Sequence, residues 1–112
     1  MRFEKVSFDQ FLKDCVALEL AGHLCFADEK EIMYYYDNLL LPRRAEPGSA
    51  GYDFYMPFPA VFTPATPVTI PTGVRAQMPS GTFLMCVPRS GLGFKYGMRL
   101  RNSVGIIDAK GR

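Results

Sequence analysis

Near the N-terminus, apolar residues recur at the spacing of an amphipathic helix. Ser7 and Gln10 match a capping box, and the apolar positions that follow are Phe8, Phe11, Leu12, Cys15 and Val16. This pattern predicts a short helix over about residues 8 to 18. Asp28 can cap a second helical turn, but the tyrosine run at residues 34–36 suits a strand equally well, so both remain open. Packing explains these tyrosines better than stacking on nucleobases does.

From Leu39 onward the pattern changes to that of short strands and turns. Residues 68–70 and 74–78 predict two antiparallel strands on either side of the turn at residues 71–73. A second turn is predicted at residues 79–81, and the apolar run 82–87 predicts a strand buried on both faces. Residues 98–101 and 104–107 predict a hairpin.

Composition changes at the same place along the chain. All nine prolines lie between Pro42 and Pro88, and nine of the ten glycines lie at Gly48 or later. We therefore expect a partly helical N-terminal extension over residues 1–38 and a β domain over residues 39–112. Many short strands with proline-rich connections predict an all-β sandwich or barrel.

Length, charge and cysteine content exclude several classes of protein. A chain of 112 residues allows one domain with a small core, which favours oligomerisation. A net charge of +2 predicts no nucleic-acid partner, and the uncharged run 54–74 holds five prolines, so it predicts no membrane helix. Three unpaired cysteines and a single histidine, His23, predict a cytoplasmic protein with reduced thiols and no zinc site.

Two features of the second half suggest chemistry on a phosphorylated substrate. The loop after the apolar run 82–87 contains Arg89, Ser90 and Gly91, where a capping serine and free N–H groups can bind a phosphate. Asp53 and Asp108 each end an apolar stretch, where a carboxylate is costly without a role. Together these groups fit Mg²⁺-assisted attack of water on a polyphosphate. The same residues also have a purely structural explanation. The loop at residues 89–91 is then a plain turn, Asp53 forms an ion pair with an arginine, and Asp108 caps a turn.

Three segments together resemble a known family. SAGYDF at residues 49–54, PRSGLG at 88–93 and NSVGIID at 102–108 resemble the first three of the five ordered motifs of the trimeric dUTP pyrophosphatases, or dUTPases. LPRRA at 41–45, IPTGV at 70–74 and MPSG at 78–81 are also similar to that family. The resemblance covers residues 39–108, with the motifs in the family's order and spacing.

The resemblance implies a fold, an activity and an assembly. The fold is an all-β, jelly-roll-like subunit of the β-clip class, here with a short N-terminal helical extension. The activity is that of a dUTP diphosphatase, which hydrolyses dUTP to dUMP and pyrophosphate as water attacks the α-phosphorus with Mg²⁺ on the triphosphate. The active sites lie at the subunit junctions of a homotrimer.

The resemblance also implies roles for individual residues. Asp108 takes the position of the carboxylate that activates the water, and Asp53 helps to hold the water shell of the metal. Arg89, Ser90 and Gly91 match the phosphate-binding motif. The uracil and deoxyribose are bound by residues from the third motif, largely through their backbone groups: Asn102, Gly105 and Ile107.

The chain departs from the family's pattern after Asp108. The family continues with a small residue, an acid and a tyrosine that packs on the deoxyribose, whereas this chain reads AKGR over residues 109–112. We therefore expect the 112 residues to be a piece truncated before the fourth and fifth motifs, and to turn over dUTP poorly or not at all alone. The alternatives are a non-catalytic dUTPase-like module that binds a nucleotide or a partner, a dCTP deaminase of related fold and a basic strip for nucleic acid.

Overall fold

A computed structural model describes residues 1–22, 24–61, 63, 67–88 and 105–109, which contain four short strands and two helices. Strands β1 and β2 form one two-stranded sheet, and β3 and β4 form another. The chain divides into two compact units, one of Phe3–Arg75 and one of Met1–Arg2 with Ala76–Arg112. In chain order the elements are β1 (Arg2–Lys5), α1 (Phe8–Leu20), α2 (Glu29–Asp37), β2 (Val74–Gln77), β3 (Phe83–Cys86) and β4 (Gly105–Asp108).

Helix α1 confirms the helix predicted from the apolar spacing and extends two residues beyond it. The backbone N–H of Gln10 donates to Ser7 Oγ at 3.1 Å, as expected of an N-cap serine. The Gln10 side chain instead donates to Asp14 Oδ1 at 3.0 Å, so only half of the capping box forms. The helix buries Phe11, Cys15 and Leu18.

Helix α2 settles the open question about the tyrosine run, which is helical. Asp28 Oδ1 accepts from the Glu31 N–H at 2.9 Å, and Glu31 Oε2 accepts from the Ala27 N–H at 2.6 Å, so both carboxylates cap the helix start. Tyr35 and Tyr36 are half-buried, and the Tyr36 hydroxyl donates to the Val6 carbonyl at 2.6 Å. Packing is therefore confirmed for these two tyrosines.

The core of the unit Phe3–Arg75 joins both helices to the chain beyond them. The rings of Phe26 and Phe58 meet edge to face with their centroids 5.2 Å apart. Residues 1–38 share this core with later residues, and the division at residue 38 remains a prediction. The seven buried core residues are Phe11, Cys15, Leu18, Phe26, Ile32, Leu39 and Phe58.

Residues 68–70 are irregular, so the strand predicted there is wrong. Val68 and Ile70 are half-buried against the core, which explains their alternating apolar pattern without a strand. Strand β2 pairs instead with β1, a strand that sequence reasoning missed. The turn at residues 79–81 is confirmed, because the Thr82 N–H donates to the Pro79 carbonyl at 3.2 Å and Gly81 has a φ of +83°.

Strand β3 corrects the prediction of a strand buried on both faces. It pairs antiparallel with β4, and its side chains alternate: Phe83 is 56% and Met85 is 54% exposed, whereas Leu84 and Cys86 are half-buried. An antiparallel pair of strands can leave one face open, and here that face carries the large apolar side chains. The predicted partner of residues 104–107, at residues 98–101, lies outside the described residues.

Helices of membrane-spanning length and hydropathy do not occur in the described part of the chain. The cysteines Cys15, Cys25 and Cys86 are free thiols. His23 lies outside the described residues.

We expect Gly73→Ala to lower the free energy of unfolding by about 2–4 kcal/mol, from backbone strain and overpacking together. Gly73 has a φ of +72°, and an added Cβ would lie 2.6 Å from Leu39 Cδ1 and 3.2 Å from Phe11 Cδ1. Gly48→Ala is the matched control, because Gly48 has a φ of +87° with nothing within 4 Å of the added Cβ. Urea unfolding measures both variants. Equal losses would show that the close approach around Gly73 contributes nothing.

We expect Cys25 to react with a thiol reagent at pH 8 much faster than Cys15. Burial, assisted by the carboxylates of Asp14 and Glu19, raises the pKa of the Cys15 thiol to about 11. The reactive thiolate of Cys15 is therefore scarce at pH 8, whereas Cys25 is exposed. Peptide mapping after timed labelling measures the two rates, and labelling in denaturant is the control. Equal rates in the native protein would contradict the burial of Cys15.

Candidate active site

Asp53 is held by a backbone bridge to Arg43. The Asp53 N–H donates to the Arg43 carbonyl at 2.8 Å, and the Arg43 N–H donates to the Asp53 carbonyl at 3.4 Å. The two residues form an isolated antiparallel bridge. Because each residue donates to the other, the backbone at Asp53 is fixed without a longer strand.

Side chains alternate in exposure on either side of Asp53. Tyr52 and Phe54 are 37% and 41% exposed, whereas Asp53 and Tyr55 are half-buried. In extended backbone, successive side chains point to opposite faces, so Tyr52 and Phe54 share one face and Asp53 and Tyr55 share the other. The rings of Tyr52 and Phe54 therefore lie on one face of this segment, and the Asp53 carboxylate lies with Tyr55 on the other.

The Arg43 guanidinium contacts Tyr55. Arg43 Nε donates to the Tyr55 hydroxyl at 3.1 Å, and its Cζ lies 5.9 Å from the centroid of the Tyr55 ring. This hydrogen bond raises the pKa of Arg43 above its usual value. Within the described residues, Arg43 forms no ion pair with the Asp53 carboxylate, so the two are joined through their backbones alone. The expected structural ion pair from Asp53 to an arginine is not seen there.

Asp108 is the last residue of β4 and lies opposite Phe83 in the register of the β3–β4 pair. Both residues are exposed, whereas Gly105 and Ile107 are half-buried. Strand alternation therefore places the Asp108 carboxylate on the open face and the side chain of Ile107 on the other. A carboxylate in this position is reachable by water, as a general base must be.

Several of the predicted site residues lie outside the described residues: Arg89, Ser90, Gly91 and Asn102. Asp53 belongs to one compact unit and Asp108 to the other, and each is described within its own. The site roles of all these residues remain predictions. Sequence reasoning missed the Arg43–Tyr55 contact, for which the local pattern of residues 52–55 gave no signal.

The described residues do not form a caged metal site. Among them, no group of three or more His, Cys, Asp or Glu side chains is placed to hold a metal. Mg²⁺ commonly keeps several waters and binds through one or two carboxylates together with substrate phosphates. Single carboxylates such as Asp53 suit this mode of binding.

Comparison with known proteins identifies the family. The family model described as dUTPase matches residues 37–112, which is most of the chain. The chain belongs to the dUTPase family. The fold that this family implies is the β-clip. The comparison with solved structures finds no match.

The chain is also similar to curated dUTPase sequences from bacteria. Proteins named deoxyuridine 5'-triphosphate nucleotidohydrolase match from Leifsonia xyli (41% identity over 69 residues, covering 62% of this chain and 45% of the relative) and from Chlamydia pneumoniae (41% over 71 residues, 62% and 49%). A third, from Picosynechococcus, is 35% identical over 81 residues, covering 72% of this chain and 57% of the relative. The chain spans about half the length of the curated relatives it matches.

Proposed function

We propose that this protein hydrolyses dUTP to dUMP and pyrophosphate. The observation that carries the proposal is the position of Asp108, an exposed carboxylate at the end of β4 within the third dUTPase-like motif. Relatives that are named for dUTP hydrolysis support it. The substrate is therefore dUTP, and the protein is a dUTP diphosphatase.

Asp108 acts as the general base in the proposed reaction. Its carboxylate accepts a proton from a water molecule as the water oxygen attacks the α-phosphorus. The bond from the α-phosphorus to the bridging oxygen breaks, and pyrophosphate leaves with the electron pair. Bound Mg²⁺ supplies charge neutralisation on the triphosphate.

The other predicted residues bind and orient the substrate. Arg89, Ser90 and Gly91 bind the phosphates, and Asp53 holds water of the metal's hydration shell. Backbone groups of Asn102, Gly105 and Ile107 bind the uracil and deoxyribose. The backbone of β4 suits this role, because it is fixed by its pairing with β3, and Gly105 and Ile107 are half-buried.

We also propose that the protein is a cytoplasmic homotrimer of jelly-roll-like subunits. The open face of the β3–β4 pair supports subunit association, because Phe83, Met85 and Ile106 are each more than half exposed. Clustered exposed apolar side chains are a feature of protein–protein interaction surfaces. Subunit junctions would then complete the active sites.

We expect Asp108→Asn, made in the protein at its natural length, to lower kcat for dUTP by a factor of about 10² to 10⁴ and to spare binding. The amide can still hydrogen-bond the water but cannot accept its proton. Steady-state pyrophosphate release measures kcat, and equilibrium binding of a non-hydrolysable dUTP analogue measures binding.

Asp9→Asn is the control for that substitution. Asp9 lies in the first turn of α1, paired with Lys13, and its change should leave both measurements unaltered. Near wild-type turnover in Asp108→Asn would make Asp108 a structural turn residue. Analogue binding without pyrophosphate release by the wild type would instead favour the non-catalytic module.

We expect sedimentation of the wild type at micromolar concentration to give the mass of a trimer, and Met85→Glu to shift it towards the monomer. A charge on the open face of β3 would be desolvated at a subunit contact. Val61→Glu is the control, because Val61 is 86% exposed in the other compact unit. A wild-type monomer, or equal dissociation by both variants, would count against this interface.

A further inference from the structure

Phe3 in strand β1 contacts the two aromatic residues that flank Asp53. The centroid of its ring lies 5.1 Å from that of Tyr52 at an interplanar angle of 68°, and 5.6 Å from that of Phe54 at 87°. Both are edge-to-face contacts, a geometry that aromatic pairs favour. Arg44 covers the Tyr52 ring, with its Cζ 5.1 Å from the centroid. We call Phe3, Arg44, Tyr52 and Phe54 the aromatic clasp.

Strand β1 is itself fixed at several points within its unit. The Val6 N–H donates to the Gly73 carbonyl at 3.0 Å, beside the start of β2. Lys5 Nζ donates to the Tyr36 carbonyl at 3.0 Å, at the end of α2. Glu4 Oε1 accepts from Arg75 Nε at 2.8 Å. These hydrogen bonds therefore fix the strand that carries the Phe3 ring.

The clasp and the Asp53 carboxylate lie on opposite faces of the same short extended segment. Among the described residues, Asp53 has a backbone bridge to Arg43, so two hydrogen bonds and the flanking rings hold its position. Phe3 contacts both the residue before Asp53 and the residue after it. Its ring therefore restricts displacement of the backbone at Asp53. Residue 3 lies outside the family match over residues 37–112.

We propose that Phe3 is a positioning residue of the active site, acting through Tyr52 and Phe54 to hold Asp53 in place. This proposal rests on the proposed role of Asp53 in binding the water shell of Mg²⁺. The N-terminal segment is thereby part of the catalytic framework, because Phe3 in its first strand packs against two residues of the first dUTPase motif.

The test measures amide hydrogen exchange in the ligand-free protein. Phe3→Ala should accelerate exchange of the Asp53 N–H by a factor on the order of ten relative to the Phe11 N–H of α1, since two ring pairs are lost. Phe3→Leu should restore part of the protection. Phe8→Ala is the matched control: Phe8 also lies near the N-terminus and contacts one ring, Tyr36 at 5.4 Å, but does not touch the clasp.

A second measurement links the clasp to nucleotide chemistry. In the protein at its natural length, Phe3→Ala should raise the Mg²⁺ concentration that gives half-maximal dUTP hydrolysis by a factor of about three to ten, with a smaller change for Phe3→Leu. Phe8→Ala should leave that concentration unaltered. If Phe3→Ala does not fold, Arg44→Gln tests the clasp by removing the cation that contacts the Tyr52 ring. It should give a smaller effect of the same sign.

The outcomes separate this proposal from the proposed function. Unchanged exchange at Asp53 in Phe3→Ala, or an equal change in Phe8→Ala, would overturn the positioning role. Faster exchange with an unaltered Mg²⁺ requirement would overturn its link to catalysis. If the wild type does not hydrolyse dUTP, the proposed function fails, and the exchange data alone decide whether Phe3 positions Asp53.

Discussion

The close approach of three segments at Gly73 is the constraint on which the unit Phe3–Arg75 depends. Phe11 of α1 and Leu39 after α2 both reach the space where any other residue would carry a Cβ. The carbonyl of Gly73 accepts the Val6 N–H, which brings the chain after β1 alongside the start of β2. One glycine with a left-handed backbone thus allows both the core and the strand pair to form. The same pairing holds strand β1, in which Phe3 contacts Tyr52 and Phe54.

Polar groups hold the connections of this unit, while apolar groups fill its centre. Carboxylates from both helices fix the segment between them, because Glu19 Oε2 accepts from the Phe26 N–H at 3.0 Å and Glu31 accepts from the Ala27 N–H. These hydrogen bonds satisfy backbone donors of the loop between the two helices. Phe26 is thereby directed into the core, where its ring meets Phe58.

The environment of Asp53 illustrates how a short segment can serve structure and chemistry together. Tyr55 accepts a hydrogen bond from the Arg43 guanidinium, so the cation of the residue bridged to Asp53 contacts a phenol rather than the carboxylate. Within the described residues the Asp53 carboxylate forms no ion pair with Arg43, and a carboxylate of this kind is suited to hold hydrated metal. Asp108 has a different setting, because it lies on the open face of a two-stranded ribbon.

Local sequence determined the features that depend on neighbouring residues. The cap of α1 at Ser7, the turn before Thr82 and the strand that ends at Asp108 were all predictable, because each rests on hydrogen bonds or alternation within a few residues. The dUTPase motifs were likewise visible from the order of their residues. The helical state of the tyrosine run was not, since its apolar side chains suit a helix and a strand equally.

Only the tertiary structure decided the pairing of β1 with β2, the irregular path of residues 68–70 and the open face of β3. Each depends on which distant segment of the chain packs beside it. The entropic cost of closing the loop between two such segments cannot be read from a local sequence pattern. The aromatic clasp is the clearest case, because Phe3 meets Tyr52 and Phe54 about fifty positions later. The motif around Asp53 could be read from the sequence. The Phe3 ring that supports this motif lies in a strand that no sequence pattern connects to residues 52–54.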